Sequence, residues 1–171
     1  MFSDIQYGIK RWYYRKSGCK IGENTILDNV NLGSEPYLVE IGNNCLITNV
    51  SFFTHDGSTR VLKRKFDFKG TKYGKIIIRD NVFISHCLIV PNVEIGPNSI
   101  VGAGSVIAKS IPPDSVYAGN PAKFICTIEE YYQKCLKNKG NLQNSKYWDD
   151  YQVYEKTGKI SKRQILTNFF K

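Results

Sequence analysis

The sequence predicts a β-helix, in which each turn of the chain contributes short strands that stack on those of the next turn. Aliphatic residues recur at six-residue intervals in the second half of the chain, at Ile89, Ile95, Val101 and Ile107. Neither the 3.6-residue period of an α-helix nor the two-residue period of a strand produces that spacing. One six-residue unit cannot bury its aliphatic side chain, whereas stacked units line such side chains into a continuous core. The period therefore favours a solenoid over an antiparallel sandwich of alternating strands.

The same period is found nearer the N-terminus, where two segments interrupt it. It relates two further sets of residues: Ile21 with Leu27, and Ile41 with Ile47 and Phe53. The Gly-Ser-Glu-Pro cluster at residues 33–36 is a turn signal. Residues 56–75 place no aliphatic side chain in phase with the core. We therefore expect them to project from the solenoid as an extruded loop. Functional residues often collect on loops that a rigid scaffold holds in place.

The sequence divides into three predicted segments. Residues 1–18 are aromatic and basic at helical spacing, which predicts a helix that caps the solenoid, with a membrane-surface helix as the alternative. Residues 19–126 form the β-helix, which the Pro-rich segments near its end terminate. Residues 127–171 predict a C-terminal helix, with Thr127 as its N-cap and Glu130 completing a capping box, followed by a basic tail.

Composition and charge leave the class of ligand open. The chain has 171 residues and a net charge of +9, which fits one domain with small additions. The charge is uneven, since residues 60–75 carry +6 and residues 21–59 carry −5. Such a field attracts an anionic small molecule, an acidic glycan, a membrane surface or nucleic acid.

The five cysteines show no metal-binding spacing, and the chain begins without the features of a secretory signal. These observations predict reduced thiols in a cytoplasmic protein. Cys45 and Cys87 are expected to be buried structural thiols rather than carriers of an acyl group.

One stretch carries a specific resemblance. Residues 81–125 read NVFISHCLIVPNVEIGPNSIVGAGSVIAKSIPPDSVYAGNPAKFI. This run closely resembles the C-terminal coils of the hexapeptide-repeat acyltransferases, above all the sugar O-acetyltransferases of the galactoside and maltose type. The resemblance is strong over about residues 39–126. It implies a left-handed parallel β-helix, a homotrimer with active sites between neighbouring subunits, and acetyl-CoA as the donor.

The resemblance also implies a set of site residues. His55, in the sequence FFTHDG, matches the family's general base on the coil that precedes the extruded loop. Asn31 aligns within one residue of a family asparagine near the acceptor, and Asp56 is the second candidate for binding the acceptor. The cofactor-binding positions run from the thiol end of CoA to its phosphates, with an aromatic wall: Ser85, Ala103, Ala108, Lys109, Lys123 and Phe83.

Two departures from the family pattern bear on these positions. The family usually has a glycine between the aliphatic residue and the serine, where this chain has Ile84 followed directly by Ser85. The interval from Ile84 to Ile89 is five residues instead of six, which predicts a slip of phase around Ser85. Cys126 also stands where a second arginine often helps to hold the phosphates of the cofactor.

Residue chemistry supports His55 independently of the resemblance. Acetyl transfer from a thioester to a hydroxyl group requires removal of the hydroxyl proton, and an imidazole titrates near neutrality. Of the two histidines, His55 lies where the chain leaves the coil, whereas His86 is flanked by coil residues and is expected to be structural. An acid should fix the tautomer of the base, and the sequence does not rank the three candidates, which are Asp56, Glu35 and Glu40.

The sequence therefore predicts an acetyl-CoA-dependent O-acetyltransferase that acts on a sugar, in surface polysaccharide synthesis. Serine or the amine of an amino sugar is the alternative acceptor. A metalloenzyme resembling carbonic anhydrase would need three zinc-binding histidines, and a non-enzymatic binder of anionic polymers would show salt-dependent binding without CoA turnover. The expected partners are further copies of the chain and a glycan acceptor, with neither nucleic acid nor a metal. The basic loop residues (Arg60, Lys63, Arg64, Lys65) are expected to meet an acidic glycan, a lipid-linked diphosphate or only solvent. Peripheral contact of the protein with a membrane or a lipid-linked glycan is a separate expectation.

Overall fold

A computed structural model describes residues 2–138, 140–159 and 161–170, and it divides into two compact units, residues 1–128 and residues 129–171. Three parallel sheets build the first unit. The four-stranded sheet has the order β1 (Lys20–Ile21), β3 (Val39–Ile41), β8 (Ile76–Ile78), β11 (Val93–Ile95). The six-stranded sheet has the order β15 (Lys123–Thr127), β14 (Ser115–Ala118), β12 (Ile100–Val101), β9 (Phe83–Ser85), β4 (Leu46–Thr48), β2 (Ile26–Asp28). The three-stranded sheet has the order β13 (Val106–Ile107), β10 (Leu88–Ile89), β5 (Ser51–Phe52).

Within the coils, consecutive strands along the chain lie in different sheets, and strands that neighbour each other in a sheet come from successive coils; the final pair β14–β15 is the exception. β8, β9 and β10, for example, belong to the four-, six- and three-stranded sheets in turn. The pairing is parallel throughout these ladders until β15, which pairs antiparallel with β14. The predicted parallel β-helix is therefore confirmed.

One excursion separates β5 from β8. It consists of β6 (His55–Asp56), helix α2 (Thr59–Phe66) and β7 (Lys72–Tyr73), and we call residues 55–73 the arm. β6 and β7 pair antiparallel in a sheet of their own, with His55 opposite Tyr73 and Asp56 opposite Lys72. The arm therefore lies outside the three parallel sheets, although the sequence did not predict its helix.

Helix α1 (Phe2–Lys16) packs on the first coil through specific hydrogen bonds. The Tyr14 hydroxyl donates to the Val30 carbonyl oxygen at 2.9 Å, and Arg15 Nη2 donates to the Ile21 carbonyl oxygen at 2.6 Å. These bonds satisfy carbonyl groups at the edge of the solenoid, where no further coil is stacked. The predicted N-terminal helix is present, and its contacts are those of a cap.

The second unit, residues 129–171, is helical. It contains most of α3 (Ile128–Lys137), together with α4 (Trp148–Thr157) and α5 (Lys162–Phe169). The helix predicted after Thr127 is therefore present, and the remainder of the tail, which the sequence left unplaced, forms two more helices. In the described part of the chain, no helix combines the length and the apolar character needed to cross a bilayer.

Stacked aliphatic side chains fill the interior of the solenoid. Each sheet contributes a column of buried residues: Ile21, Ile41, Ile78, Ile95 and Ile111; Leu27, Ile47, Ile84 and Val101; Leu32, Phe52, Ile89 and Ile107. Burying one such side chain stabilises the fold by about 1.5–3 kcal/mol. Ser99 and Ser105, two places before members of these columns, are also buried, and their hydroxyl groups donate to backbone carbonyl oxygens.

The prediction that Phe53 continues the core period is wrong. Phe52 is 1% exposed, whereas Phe53 is 48% exposed and points out of the solenoid. The interval from Ile47 to the next core residue is thus five, the same as that from Ile84 to Ile89. The short interval near Ser85 is therefore a regular feature of this corner and no slip of phase.

Left-handed backbone conformations explain the five-residue corners. Asn29, Asn49 and His86 have φ values of 50°, 54° and 53°, and each follows its core residue by two positions. Asn and His adopt this region more readily than most residues, so they turn the chain within a shorter segment. At the same corner of the next coil, six residues separate the core residues Val101 and Ile107, and Gly104 makes the turn with a φ of 79°. His86 is part of this backbone turn, in agreement with its expected structural role.

The carboxylate of Asp80 holds the turns of adjacent coils together. The Asn43 backbone N–H donates to Asp80 Oδ1 at 2.7 Å, and this bond lowers the pKa of the Asp80 carboxyl. Gly42 permits the approach, because a Cβ there would lie 2.8 Å from the Asp80 backbone nitrogen.

We expect Asp80→Asn to lower the free energy of unfolding at pH 7 and to lose that effect in acid. The pKa of Asp80 is lower in the folded protein, so its contribution is present above the ordinary value of 3.8 and disappears as the pH falls through the folded value. Urea unfolding at pH 7 and pH 3 measures the difference. Asp149→Asn, on α4, controls for the loss of one negative charge, and a penalty for Asp80→Asn that is equal at both pH values would contradict the assignment.

Candidate active site

His55 lies at the point where the chain leaves the three-stranded sheet. Phe52 ends β5 inside the core, Thr54 is 1% exposed, and His55 then opens the arm as the first residue of β6. Pairing of β6 with β7 places the Tyr73 ring 5.9 Å from the His55 ring, measured between centroids. The His55 side chain is 41% exposed. Its backbone is therefore anchored by the core on one side while its ring remains open to a ligand.

Glu35 contacts the imidazole directly. His55 Nδ1 lies 2.9 Å from Glu35 Oε2, and the Thr54 hydroxyl donates to the same oxygen at 2.5 Å. The Glu35 side chain is 13% exposed. Of the three acids that the sequence left unranked, Glu35 is thus the one that touches the ring.

The protonation of this pair follows from its hydrogen bonds. The Thr54 hydroxyl, and after it the His55 ring, lower the pKa of the Glu35 carboxyl, so that it is ionised at neutral pH. An ionised carboxylate only accepts hydrogen bonds, so Nδ1 of a neutral His55 must be the donor. The lone pair then lies on Nε2. The arrangement can accept a proton at Nε2, as a general base does.

A pocket of about 480 Å³ adjoins this pair. One wall comes from the arm and the floor from residues that follow the strands of the three-stranded sheet. Its lining residues are Phe53, His55, Asp56, Gly57, Lys72, Val90, Pro91, Asn92 and Ala108. The lining combines apolar side chains with one cation, Lys72, and one carboxylate, Asp56, and its apolar part suits a ligand with an extended uncharged segment.

The pocket gathers three of the nine predicted site residues, namely His55, Asp56 and Ala108. Lys109 follows Ala108 and is exposed, and Ala103 is exposed in the turn between β12 and β13. Lys123 is exposed at the start of β15. None of these three residues is among those that line the His55 pocket in the described structure.

Phe83 and Ser85 lie on another face of the solenoid, whereas Asn31 bridges to Ser51 of β5 and so lies on the face from which His55 leaves the coil. Phe83 and Ser85 belong to β9 of the six-stranded sheet, and Phe83 lines a separate pocket of about 340 Å³. Asn31 lines another pocket, beside Tyr13 and Tyr14 of α1. The sheets of a β-helix face different directions, so Phe83 and Ser85 do not share the His55 pocket within a single copy. Asn31 is on the His55 face but is not among the residues that line this pocket.

Ser85 takes part in a small polar cluster on its own face. Its hydroxyl lies 2.9 Å from the Thr48 hydroxyl oxygen and 2.8 Å from His86 Nδ1. These contacts fix the position of the Ser85 hydroxyl although the usual preceding glycine is missing.

The cysteines give no support to a covalent acyl intermediate. Cys45 and Cys87 are 1% and 3% exposed, and burial raises the pKa of both thiols. A protonated, buried thiol is a poor nucleophile. Cys126 is 3% exposed, so it does not replace a phosphate-binding arginine at the surface. Within the described ranges, no three His, Cys, Asp or Glu side chains converge as metal ligands.

Sequence reasoning missed Thr54 and Lys72 and did not rank Glu35. Glu35 precedes His55 by twenty positions, and the register of the first two coils is also twenty, since Lys20 pairs with Glu40. A register of twenty residues would have indicated that Glu35 stacks beside His55. Lys72 is one of several lysines in a basic segment, and only the antiparallel pairing of the arm places it opposite Asp56.

Comparisons with known proteins agree on one family. A family model described as bacterial transferase hexapeptide (six repeats) matches residues 75–109. Protein CapG of Staphylococcus aureus is 41% identical over 129 residues, which cover 72% of this chain and 74% of CapG. Galactoside O-acetyltransferase of Escherichia coli strain K12 is 40% identical over 129 residues, which cover 71% of this chain and 62% of that protein. The chain thus matches less than two thirds of the length of the E. coli relative.

Solved structures support the same fold. The hexapeptide-repeat acetyltransferase VCA0836 of Vibrio cholerae aligns with a TM-score of 0.56 and 24% identity, over 71% of this chain and 81% of its own. The polySia specific acetyltransferase NeuO aligns with a TM-score of 0.51 and 27% identity, over 63% of this chain and 50% of its own. This fold implies that the parallel β-helix is left-handed, as the sequence resemblance predicted.

Proposed function

Because this chain belongs to the hexapeptide-repeat family of acetyltransferases, we propose that it transfers an acetyl group from acetyl-CoA to a hydroxyl group of a sugar. The observation that carries the proposal is the hydrogen bond between His55 Nδ1 and Glu35 beside the pocket. Two relatives are named for glycan acceptors, a galactoside and polySia, which favours a sugar over serine or an amine. We place the reaction in the synthesis of a surface polysaccharide.

In the proposed reaction His55 acts as the general base. Nε2 takes the proton of the acceptor hydroxyl group while the hydroxyl oxygen attacks the thioester carbonyl carbon. The new carbon–oxygen bond forms, the carbon–sulfur bond breaks, and the proton passes from His55 to the departing thiolate. Glu35 holds the ring in the Nδ1–H tautomer and stabilises the imidazolium that exists between the two transfers.

The pocket supports CoA as the donor. Val90, Pro91 and Ala108 form an apolar surface suited to an uncharged pantetheine arm, and Lys72 adds a cation at the wall. Lys109 and Lys123 are exposed and would contact the phosphates. Asp56 remains a candidate for binding the acceptor, and the arm corresponds in this proposal to the extruded loop of the family.

We further propose that a neighbouring copy completes the site within a homotrimer. Phe83 and Ser85 lie on a different sheet from His55, so they would serve the site of an adjacent subunit. Asn31 would contact the acceptor from the same or an adjacent copy. A mixture of two inactive variants tests this arrangement, because His55→Ala and Ser85→Ala chains would recover part of the activity when they assemble together.

An acceptor screen tests the reaction itself. Release of free CoA from acetyl-CoA is followed with a thiol reagent in the presence of galactosides, acidic oligosaccharides, amino sugars and serine. We expect turnover with a sugar hydroxyl acceptor, and mass spectrometry should show an ester that mild base removes. Turnover with serine or formation of a base-stable amide would replace the sugar O-acetyltransferase assignment, and binding of anionic polymers without CoA release would remove it.

We expect Glu35→Gln to reduce kcat by about 100-fold or more, approaching the 10²–10⁴-fold contribution of the general base itself, because a base in the wrong tautomer cannot accept the proton. Glutamine preserves the shape but can present either its oxygen or its amide group to Nδ1, so the required tautomer is no longer enforced. Steady-state kinetics measure the effect. Glu40→Gln is the matched control, because Glu40 pairs with Lys20 on the four-stranded sheet, away from the pocket. Equal losses in the two variants would contradict the role of Glu35.

A further inference from the structure

Helix α2 of the arm carries apolar side chains that are largely exposed in the described structure. Every residue of Thr59–Phe66 is described, and Thr59 alone is buried. Val61 is 64% exposed, and Phe66 is 66% exposed. Leu62 and, just beyond the helix, Phe68 are also exposed. An eight-residue helix is marginal without packing, so a further surface is needed to stabilise it.

The helix separates apolar and basic side chains onto opposite faces. With 3.6 residues per turn, Val61, Leu62 and Phe66 fall within an arc of about 140°. Arg60, Lys63 and Arg64 fall within an opposing arc of about 100°. Lys65 lies between Val61 and Leu62, where its long stem can follow the apolar face while the ammonium group stays in water.

The basic charges of α2 are not neutralised by the chain itself. Among the described residues, no carboxylate forms an ion pair with the four cations of this helix, which are Arg60, Lys63, Arg64 and Lys65. The acidic stretch that precedes the helix in the sequence is residues 21–59. Each of its five acids already accepts a hydrogen bond within the chain: Glu23, Asp28, Glu35, Glu40 and Asp56.

We propose that α2 binds the surface of an anionic lipid bilayer, with Val61, Leu62 and Phe66 in the headgroup–acyl boundary and the cations among the lipid phosphates. A short helix with one apolar and one basic face is the form that interfacial helices take. An acidic glycan would match the cations but leave the apolar face uncovered.

This surface is distinct from the His55 pocket, so binding to vesicles and acetyl transfer are separate measurements. In the assembled enzyme each copy would contribute one helix, and several weak contacts on one particle would reinforce each other. The surface would hold the enzyme where glycans carried on membrane lipids are present.

Vesicle flotation of the full-length protein tests the proposal. The probes are vesicles of phosphatidylcholine alone and of phosphatidylcholine with phosphatidylglycerol at 3:1. We expect binding to the anionic vesicles, little to the neutral ones, and weaker binding at higher salt. Lys63→Gln with Arg64→Gln should weaken partitioning by about 30-fold, since each cation near an anionic surface contributes about fivefold. Val61→Ser should weaken it without changing the salt dependence.

Matched variants in residues 129–171 distinguish the contribution of helix α2 to vesicle binding from that of the protein's overall positive charge. Lys156→Gln with Lys159→Gln removes the same charge, and Val153→Ser makes the same apolar change at an exposed position of α4. We expect both controls to bind as the unchanged protein does. Equal losses in controls and α2 variants, or no binding to anionic vesicles at low salt, would overturn the proposal. So would α2 variants that alter the oligomeric state in sedimentation while leaving vesicle binding unchanged, because a second copy would then cover the helix.

Discussion

Replacing His55 with alanine should lower kcat for acetyl transfer by about two to four orders of magnitude, the range typical of losing a general base. Nε2 is the ring nitrogen that remains free, because Nδ1 is occupied by Glu35 at 2.9 Å. Alanine removes the proton acceptor but leaves the apolar floor of the pocket, so the dissociation constant for CoA should change little. Steady-state kinetics and calorimetric titration with CoA measure the two effects separately.

His86→Asn is the matched control for this variant. It removes the other histidine of the chain, and asparagine suits the left-handed conformation that Asn29 and Asn49 adopt at the same corner. We expect the control to lose far less activity than His55→Ala, because it removes one of two contacts to the Ser85 hydroxyl, of which that to Thr48 remains, and no proton acceptor of the pocket. A His55→Ala enzyme with full activity, or a His86→Asn enzyme with the larger loss, would exclude the assignment of the base.

Replacing Phe52 with alanine should destabilise the β-helix by about 3–5 kcal/mol, the usual cost of truncating a buried phenylalanine. Phe52 is 1% exposed in the column that the three-stranded sheet contributes to the core. Removing its ring leaves a cavity between Leu32 below and Ile89 above, since β5 pairs with β10 and bridges the first coil at Asn31. Urea unfolding at one fixed protein concentration measures the change, because assembly makes apparent stability depend on concentration.

Phe53→Ala supplies the control at the adjacent position. Phe53 is 48% exposed and lines the His55 pocket, so its loss should cost much less stability. The expected order of stabilities is therefore opposite to the one that an unbroken six-residue period would give. Equal destabilisation by the two variants would show that the corner is not turned as described.

The repeating part of the fold was predictable because its signal is periodic. Ile89, Ile95, Val101 and Ile107 were assigned to the core from spacing alone, and all four are buried. The period failed at Phe53 because the corner after Ile47 is closed by a left-handed residue within five positions. An asparagine two places after the core residue was the signal for that shorter corner.

The site was predictable only in part. His55 was proposed from the family resemblance and from its place at the exit from the coil, but its partner Glu35 is one coil away and becomes a neighbour only through stacking. The residues assigned to the cofactor are spread over separate faces, because a pattern along the chain does not record which sheet each residue joins. Helix α2 was missed, since its basic residues were taken as signs of a loop and its apolar residues contribute nothing to the core.

The protonation of the two ring nitrogens of His55 tests the pairing with Glu35 most directly. Nitrogen NMR of the uniformly labelled protein reports which nitrogen carries the proton of a neutral imidazole, and His86→Asn leaves a single histidine to assign. We predict the Nδ1–H tautomer, with Nε2 unprotonated, and a shift toward the Nε2–H form in Glu35→Gln. An Nε2–H tautomer in the unchanged protein would contradict the account, because its base would then lack a free lone pair.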